Sequence, residues 1–537
     1  MKSIRIALAA TAVSVMVVGV SASLQQGPLP VLSPGTATIK PGTQLPVIVP
    51  GQLVASPSPL SIVGDSGIHT AVTFTASYSG AGGVLDVQSD TPAHVSDPVV
   101  TPLGAGRYSI TMQTSNLLAE GAYRGNVRLR MCTDVGCATP IAGATAAVPY
   151  QLRMRWVNPG EWGTFQRDAG HRGYVPVIIN AAKIHKAWEW QNPTQTFIHP
   201  VATSAGRVYV TEGQASFSSA SRLYSLREVD GGLHWQKQFS VSYARLNPPA
   251  TSGANVYVAS TGQEQTFLFG FRQSDAQPLF QSSFAIQWGG VMAPTVADGV
   301  VYTAGGYFGG GTYAYDAEDG TPFWSRFHGD DDMTTPAVED GMVYHYDNTN
   351  GLQVYDSSTG ESAASIADPV PPEGYTYSYN AAPMLGAADH VFAMSGNPQD
   401  GLGRFIVDYS VSASAPRWTS TKRYVGTAAF KDGVVYATSN NPKSFDALDA
   451  QTGQKLWSWI PEPTDISFQG NVVLTRNLAF VSTDKALYAI DLVTRQPVWS
   501  IPVPGNVAIS GEGTLYLVPA QVPNQPQSSK LLAYRLR

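Results

Sequence analysis

The sequence predicts an all-β protein: an eight-bladed β-propeller preceded by an immunoglobulin-like β-sandwich. Three observations carry that prediction. First, a pair of the Val-Tyr type recurs at Val208-Tyr209, Val256-Tyr257, Val301-Tyr302, Val343-Tyr344, Val391-Phe392, Val435-Tyr436, Ala479-Phe480 and Leu515-Tyr516, in steps of 36 to 48 residues. Second, a closing strand follows each pair but the last, bearing Trp235, Trp324, Trp457 or Trp499, with Phe280 and Trp418 in weaker copies and Ala364 in the poorest. Third, Gly 52 and Pro 38 of 537 residues, with only 13% charged, suit many short strands joined by tight turns. Repeats of roughly 40 to 45 residues with four strands each are the pattern of a propeller. Helical repeats would need a 3.6-residue apolar period, and none is visible.

The clearest unit is Gly433 to Trp457. Val434, Val435 and Tyr436 are β-branched or aromatic and suit a half-buried strand. Asn440, Asn441 and Pro442 interrupt it, and Phe445 to Leu448 resume. Asp449 then opens a turn closed by Thr452-Gly453, where glycine accepts a positive φ at no steric cost. Asp316, Asp356 and Asp491 hold the same place, so these carboxylates read as turn caps rather than metal ligands. The last unit, ending in Leu532-Ala533-Tyr534, lacks its closing strand, and a stray copy lies upstream at Lys186-Ala187-Trp188-Glu189-Trp190. Closing a ring with that strand leaves no unpaired edge. Trp188 or Trp190 then fills the missing tryptophan position.

The unit V-Y…L-Y-A-x-D-x-x-T-G-x-x-x-W resembles the tryptophan-docking repeat of the PQQ-like, quinoprotein-type eight-bladed propellers. The lead-in Trp162-Gly163-Thr164-Phe165-Gln166-Arg167-Asp168, with His171-Arg172-Gly173, is similar to the opening of that superfamily. The resemblance spans 161–537 and implies the fold. The superfamily holds dehydrogenases, assembly scaffolds and binding proteins, so activity does not follow. Its dehydrogenases bind pyrroloquinoline quinone over the axis with calcium, and alcohol-oxidising members carry adjacent bonded cysteines. This chain has no adjacent cysteines and no CxxCH haem motif.

In chain order, residues 1–23 read as a signal peptide: Lys2 and Arg5, an apolar Ile6 to Val20, then Val20-Ser21-Ala22. Residues 24–60 are rich in Pro and read as an extended segment, with a docking strand near Val47-Ile48-Val49. Residues 61–157 carry strand candidates at Ala71–Ser77, Val84–Gln88, Ala93–Pro98, Arg107–Thr114, Gly121–Met131 and Ala147–Trp156, which suggests the immunoglobulin-like sandwich. Its loop CTDVGC holds both cysteines of the chain, Cys132 and Cys137. Export favours a structural disulfide there. A redox pair or metal ligands are less consistent with the spacing and the lack of a nearby His.

A net charge of −6 argues against a nucleic-acid partner, and no membrane segment remains after signal cleavage. No catalytic set is found: G-x-S-x-G, P-loop and H-E-x-x-H are missing, and His171 and His199 stand alone. Asp330-Asp331-Asp332 beside His328 invites comparison with a calcium loop, but the alternating spacing is missing, and the run reads as a solvated loop. No metal site and no cofactor are assigned, with PQQ and calcium as the alternative. The loops expected on the channel face carry Tyr243, Arg245, Trp288, Tyr307, Phe308, His328, Tyr375, Tyr377, Tyr379 and Tyr424. Rigid aromatics around a funnel suit recognition of a protein, peptide or glycan. The expectation is an exported, non-catalytic binding or scaffold protein of the cell envelope, periplasmic or extracellular. The alternative is a quinone- or metal-dependent oxidoreductase.

Overall fold

The architecture is taken from a computed structural model. It describes residues 51–537, except 97, 214–219, 240–243, 264–265, 288–291, 307–309, 329–330, 348–349, 372–377, 380–381, 397–401 and 521–527. The signal peptide and the docking strand expected near Val47 lie outside the described residues.

Two four-stranded sheets form the N-terminal part. One orders Leu53–Ser56, Ala71–Tyr78, Arg107–Gln113 and Val99–Gly104. The other orders Leu60–Asp65, Pro140–Arg155, Gly121–Cys132 and Val84–Ser89, with the first pair parallel. Alternation along Ala71–Tyr78 sends Val72, Phe74 and Ala76 inward to meet Val127, Leu129 and Tyr150 of the other sheet. Two expectations are corrected. Leu53–Ser56 lies in the stretch read as extended, yet it pairs with Ala71–Tyr78 and buries Leu53. Among the described residues of Ala93–Pro98 no strand forms: the His94 N–H donates to the Thr91 carbonyl at 2.9 Å over Pro92, and Val95 makes an isolated bridge to Thr114. The strand lies just beyond, at Val99–Gly104. Cys132 and Cys137 are joined by a disulfide, with their Cα atoms 5.1 Å apart.

From His185 onward the strands repeat as antiparallel units of about four; a fifth short strand joins the second unit, and the long strand Ala415–Lys431 links the fifth, sixth and seventh units into one sheet. The innermost strands of the units lie side by side around a common centre. The closing strands share one register. Trp235 faces Ser225, Phe280 faces Gly270, Trp324 faces Ala314, Ala364 faces Val354, Trp418 faces Asp408, Trp457 faces Ala447 and Trp499 faces Ala489, each beside a bulge. His185–Gln191 completes the last unit by pairing with Lys530–Arg535, and there Trp188 faces Ala533 beside the same bulge. Trp188, not Trp190, therefore holds the tryptophan position. Trp190 packs edge-on against Tyr224, with centroids 5.1 Å apart.

The register explains the repeat. Each indole reaches into the following unit. Trp188 Nε1 donates to the Glu228 carbonyl, Trp235 to Gln273, Trp324 to Ser357 and Trp418 to Ala450, at 2.8 to 2.9 Å. Each acceptor closely follows the third strand of that unit. The turn beyond it is shaped by aspartate: Asp449 Oδ1 accepts the N–H groups of Gln451 and Thr452 at 3.0 and 2.9 Å, and Asp356 does the same for Ser358 and Thr359. Gly453 has φ +68°, and a Cβ there would stand 2.6 Å from the Trp418 ring. The Asp-x-x-Thr-Gly run thus forms the seat for the preceding unit's tryptophan.

Candidate functional site

The centre of the units is organised by residues 161–173, folded by positive φ at Gln166, Arg167, His171 and Gly173. This loop bonds to the inner strands in turn. The Trp162 carbonyl accepts from the Thr203 N–H at 2.8 Å, and that of Gly163 from Thr251 at 2.7 Å. Thr164 Oγ1 donates to the Pro294 carbonyl at 2.6 Å. The carbonyls of Ala169, Gly170, Arg172 and Gly173 accept from the N–H groups of Val338, Leu385, Phe430 and Leu474 at 2.7 to 2.9 Å. Glu161 Oε2 accepts from the Gly511 N–H at 3.3 Å. One short loop therefore touches each unit from the first to the last. Gly173 is held to glycine by crowding as well as by φ, since a Cβ would come within 2.6 Å of the Gln166 amide and 3.0 Å of the Val472 carbonyl.

His171 is buried in this loop. Its Nδ1 lies 2.8 Å from the Pro383 carbonyl, which can only accept, so Nδ1 carries the proton and Nε2 accepts from Thr295 Oγ1 at 3.0 Å. Burial pushes its pKa down to about 4, which keeps the imidazole neutral. This arrangement is structural, and it leaves no nitrogen for proton transfer.

Above the loop lies a cavity of about 340 Å³. Trp162, Phe165, Pro248, Pro249 and Met292 give it apolar walls, and Gln166, Thr427, Asn471 and Asn506 supply neutral polar groups. Among the described residues that line it, none is charged. The amides also hold the walls: Asn471 Nδ2 donates to Gln166 Oε1 at 2.8 Å and to the Val507 carbonyl at 3.0 Å. Such a pocket suits a neutral, partly apolar group with a few hydrogen-bonding atoms.

Of the residues expected at the channel face, Tyr243, Trp288, Tyr307, Phe308, Tyr375 and Tyr377 lie outside the described residues. Arg245 is exposed, on a short strand opposite Thr261. Tyr424 is buried, its hydroxyl donating to Asp446 Oδ2 at 3.2 Å. Tyr379 lies in a two-residue strand in which Ser378 and Tyr379 pair in parallel with Asp331 and Asp332. The structure thus joins the acidic loop to the tyrosine-rich loop, which sequence reading treated separately. His328 is partly buried, with Nε2 3.1 Å from Thr312 Oγ1. Asn471 and Asn506 were missed. Their signal was present, since Gly470-Asn471-Val472 and Gly505-Asn506-Val507 occupy the same place in successive repeats.

Comparison with known proteins bears on the same segment. Residues 270–501 match the family described as outer membrane protein assembly factor BamB, which is less than half of the chain. No curated protein matches the sequence. Among solved structures, a europium-containing methanol dehydrogenase aligns with TM-score 0.52 and 12% identity, over 70% of this chain and 98% of its own. The quinohemoprotein alcohol dehydrogenase of Comamonas testosteroni gives 0.53 and 14%, over 70% and 80%. The quinohemoprotein alcohol dehydrogenase ADHIIG of Pseudomonas putida HK5 gives 0.52 and 16%, over 71% and 80%. The fold is a β-propeller, as in these dehydrogenases. At these identities the likeness concerns the fold alone.

Proposed function

We infer that the chain is an exported, non-catalytic binding or scaffold protein of the cell envelope, periplasmic or extracellular. In this reading it is an eight-bladed propeller at 161–537 carrying an immunoglobulin-like sandwich at 61–157, and it recognises a protein, peptide or glycan. The observation that carries the reading is the uncharged axial cavity. Pyrroloquinoline quinone bears three carboxylates and, with calcium, needs cationic side chains and several oxygen ligands converging on the axis. The described lining offers neither a basic nor an acidic side chain. This described lining argues against that pair, and no redox step is derived through it. The match to a family described as an assembly factor favours a protein partner over a glycan. No helix among the described residues is long and apolar enough to cross a membrane.

Two experiments test this reading together. Mature protein reconstituted with pyrroloquinoline quinone and calcium should show no dye-linked alcohol or sugar oxidation. Protein purified from its native exporter should carry a stoichiometric envelope partner, and that complex should weaken in Trp288→Ala or Tyr307→Ala. Quinone-dependent turnover would establish the oxidoreductase alternative in place of the binding reading.

A further inference from the structure

Away from the axial cavity, three metal-ligating side chains converge where the third unit meets the fourth. His345 and Asp347 are two residues apart on the strand Met342–Asp347 and so share one face. Tyr346 between them points the other way, into a core with Leu352, Val407 and Tyr409. His328 immediately follows the third unit's closing strand Pro322–Phe327, and its backbone N–H donates to the Gly310 carbonyl at 3.0 Å. One ligand atom from each of His328, His345 and Asp347 lies within 4.8 Å of the other two. His345 and Asp347 are fully buried. The two imidazoles stack with centroids 3.9 Å apart and planes 21° from parallel.

We propose that His328, His345 and Asp347 bind a divalent transition-metal ion, zinc being the first choice, and that the ion ties the third unit to the fourth. Two imidazoles and one carboxylate form a borderline donor set that suits such ions. Calcium and magnesium prefer oxygen donors throughout. Bonds of roughly 2.0–2.2 Å require the ligand atoms to draw somewhat closer than they stand. Imidazole χ2 is a broad torsion, so the stacked rings can swing toward a shared ion at little cost. Neighbours already orient the ligands. Asn350 donates its N–H to Asp347 Oδ1 at 2.6 Å and its side-chain amide to Oδ2 at 3.1 Å. Thr312 Oγ1 engages His328 Nε2, which directs His328 Nδ1 to the ion. Three protein ligands leave a coordination position for water or for an external donor. This set differs from the calcium loop weighed at Asp330-Asp331-Asp332, and His328 is common to both.

The test uses the full-length chain, stripped with chelator and titrated with Co²⁺ as a spectroscopic probe, then with Zn²⁺ in competition. The expected result is one equivalent of Co²⁺ with a ligand-field band, displaced by one equivalent of Zn²⁺, and a Tm raised by zinc. His345→Gln and Asp347→Asn should weaken binding by at least the roughly 10–100-fold that loss of an outer partner costs. Both residues are buried, so His328→Gln, at the partly exposed edge, serves as the variant that keeps the fold, with far-UV circular dichroism as the check. It should lose the band and the zinc-dependent Tm rise together. No stoichiometric band in the wild type, or a band unchanged in His328→Gln, would overturn the proposal.

Discussion

The junction of the third and fourth units and the junction of the fourth and fifth solve the same packing problem differently. At the first, Trp324 lies over Gly360, where a Cβ would stand 2.5 Å from the indole, and its Nε1 donates to the Ser357 carbonyl at 2.9 Å. At the second, Ala364 occupies the tryptophan position, and the facing turn carries Ser414 at φ +51° in place of glycine. That junction is held instead by Tyr346, Tyr409, Leu385 and Val391, with Ala364 packed against them. The indole and its glycine seat are therefore one device divided between two repeats. Where the indole is missing, the facing turn carries no glycine, and opposite Trp235 the small Ala276 at φ +58° takes the glycine's place. At the sixth and seventh units the seat carries Arg495 at φ +61°, whose guanidinium covers the Trp457 ring at 5.7 Å. The seat can thus be a cation as well as a glycine.

The largest expected effect is that of Trp324→Ala, which should cost about 3–5 kcal/mol in urea unfolding, as loss of a buried aromatic does. Ala364→Trp, the mirror change, should bring no gain, because Ser414 offers no seat. A gain there would break the comparison.

The fifth unit adds a second contrast. Opposite its tryptophan, where other units place Ala314 or Ala447, it has the buried Asp408, 2.8 Å from His390 Nδ1. His390 Nε2 in turn lies 2.9 Å from the Gln451 side-chain amide of the next unit. Burial is the main cause that pushes Asp408 up to about 6. The folded chain thus holds this proton more tightly than the unfolded chain. Its contribution to stability is full below the unfolded value of 3.8 and is lost as pH rises through about 6. Asp408→Asn should therefore gain stability relative to wild type between pH 4 and 7, by up to about 3 kcal/mol. Parallel urea midpoints across that range would expose the reverse slope if the assignment is wrong.

Gly360→Ala should cost about 2–3 kcal/mol, from a side chain at positive φ and from overpacking against the indole. Combined with Trp324→Ala it should cost less than the sum of the two, because they share one contact. Additive losses in that cycle would separate the glycine from the indole. The smallest effect concerns the N-terminal sheets. Opening Cys132–Cys137 removes a very short loop closure, worth roughly 2 kcal/mol. It should lower only the transition of residues 53–155 in calorimetry and leave the propeller transition in place.

Much of the fold was legible because its information is local and recurs. The Asp316, Asp356, Asp449 and Asp491 turns need only the next few residues, and each bonds as the spacing suggests. The site was less legible. Gln166 and Asn471 meet across 305 positions of chain, and no short pattern announces such a pair. Tyr424 was expected on a channel loop, but it sits within the long strand Ala415–Lys431 that passes from the fifth unit to the sixth, with its ring in the core. Composition could not separate that strand from two strands joined by a loop.

By itself the sequence determined the all-β class, the period of the repeat, the turn chemistry and the need for an upstream strand to close the ring. These follow from backbone sterics and from burial of aromatics at fixed spacing, which act within one repeat. Only the tertiary structure decided that Trp188 rather than Trp190 docks, since both lie on one strand and the choice depends on register against Ala533. It alone showed that residues 161–173 bond to every unit in turn, and that His328 meets His345 and Asp347. Those contacts exist only once the strands have closed around the centre, because ring closure brings together residues that no local preference relates.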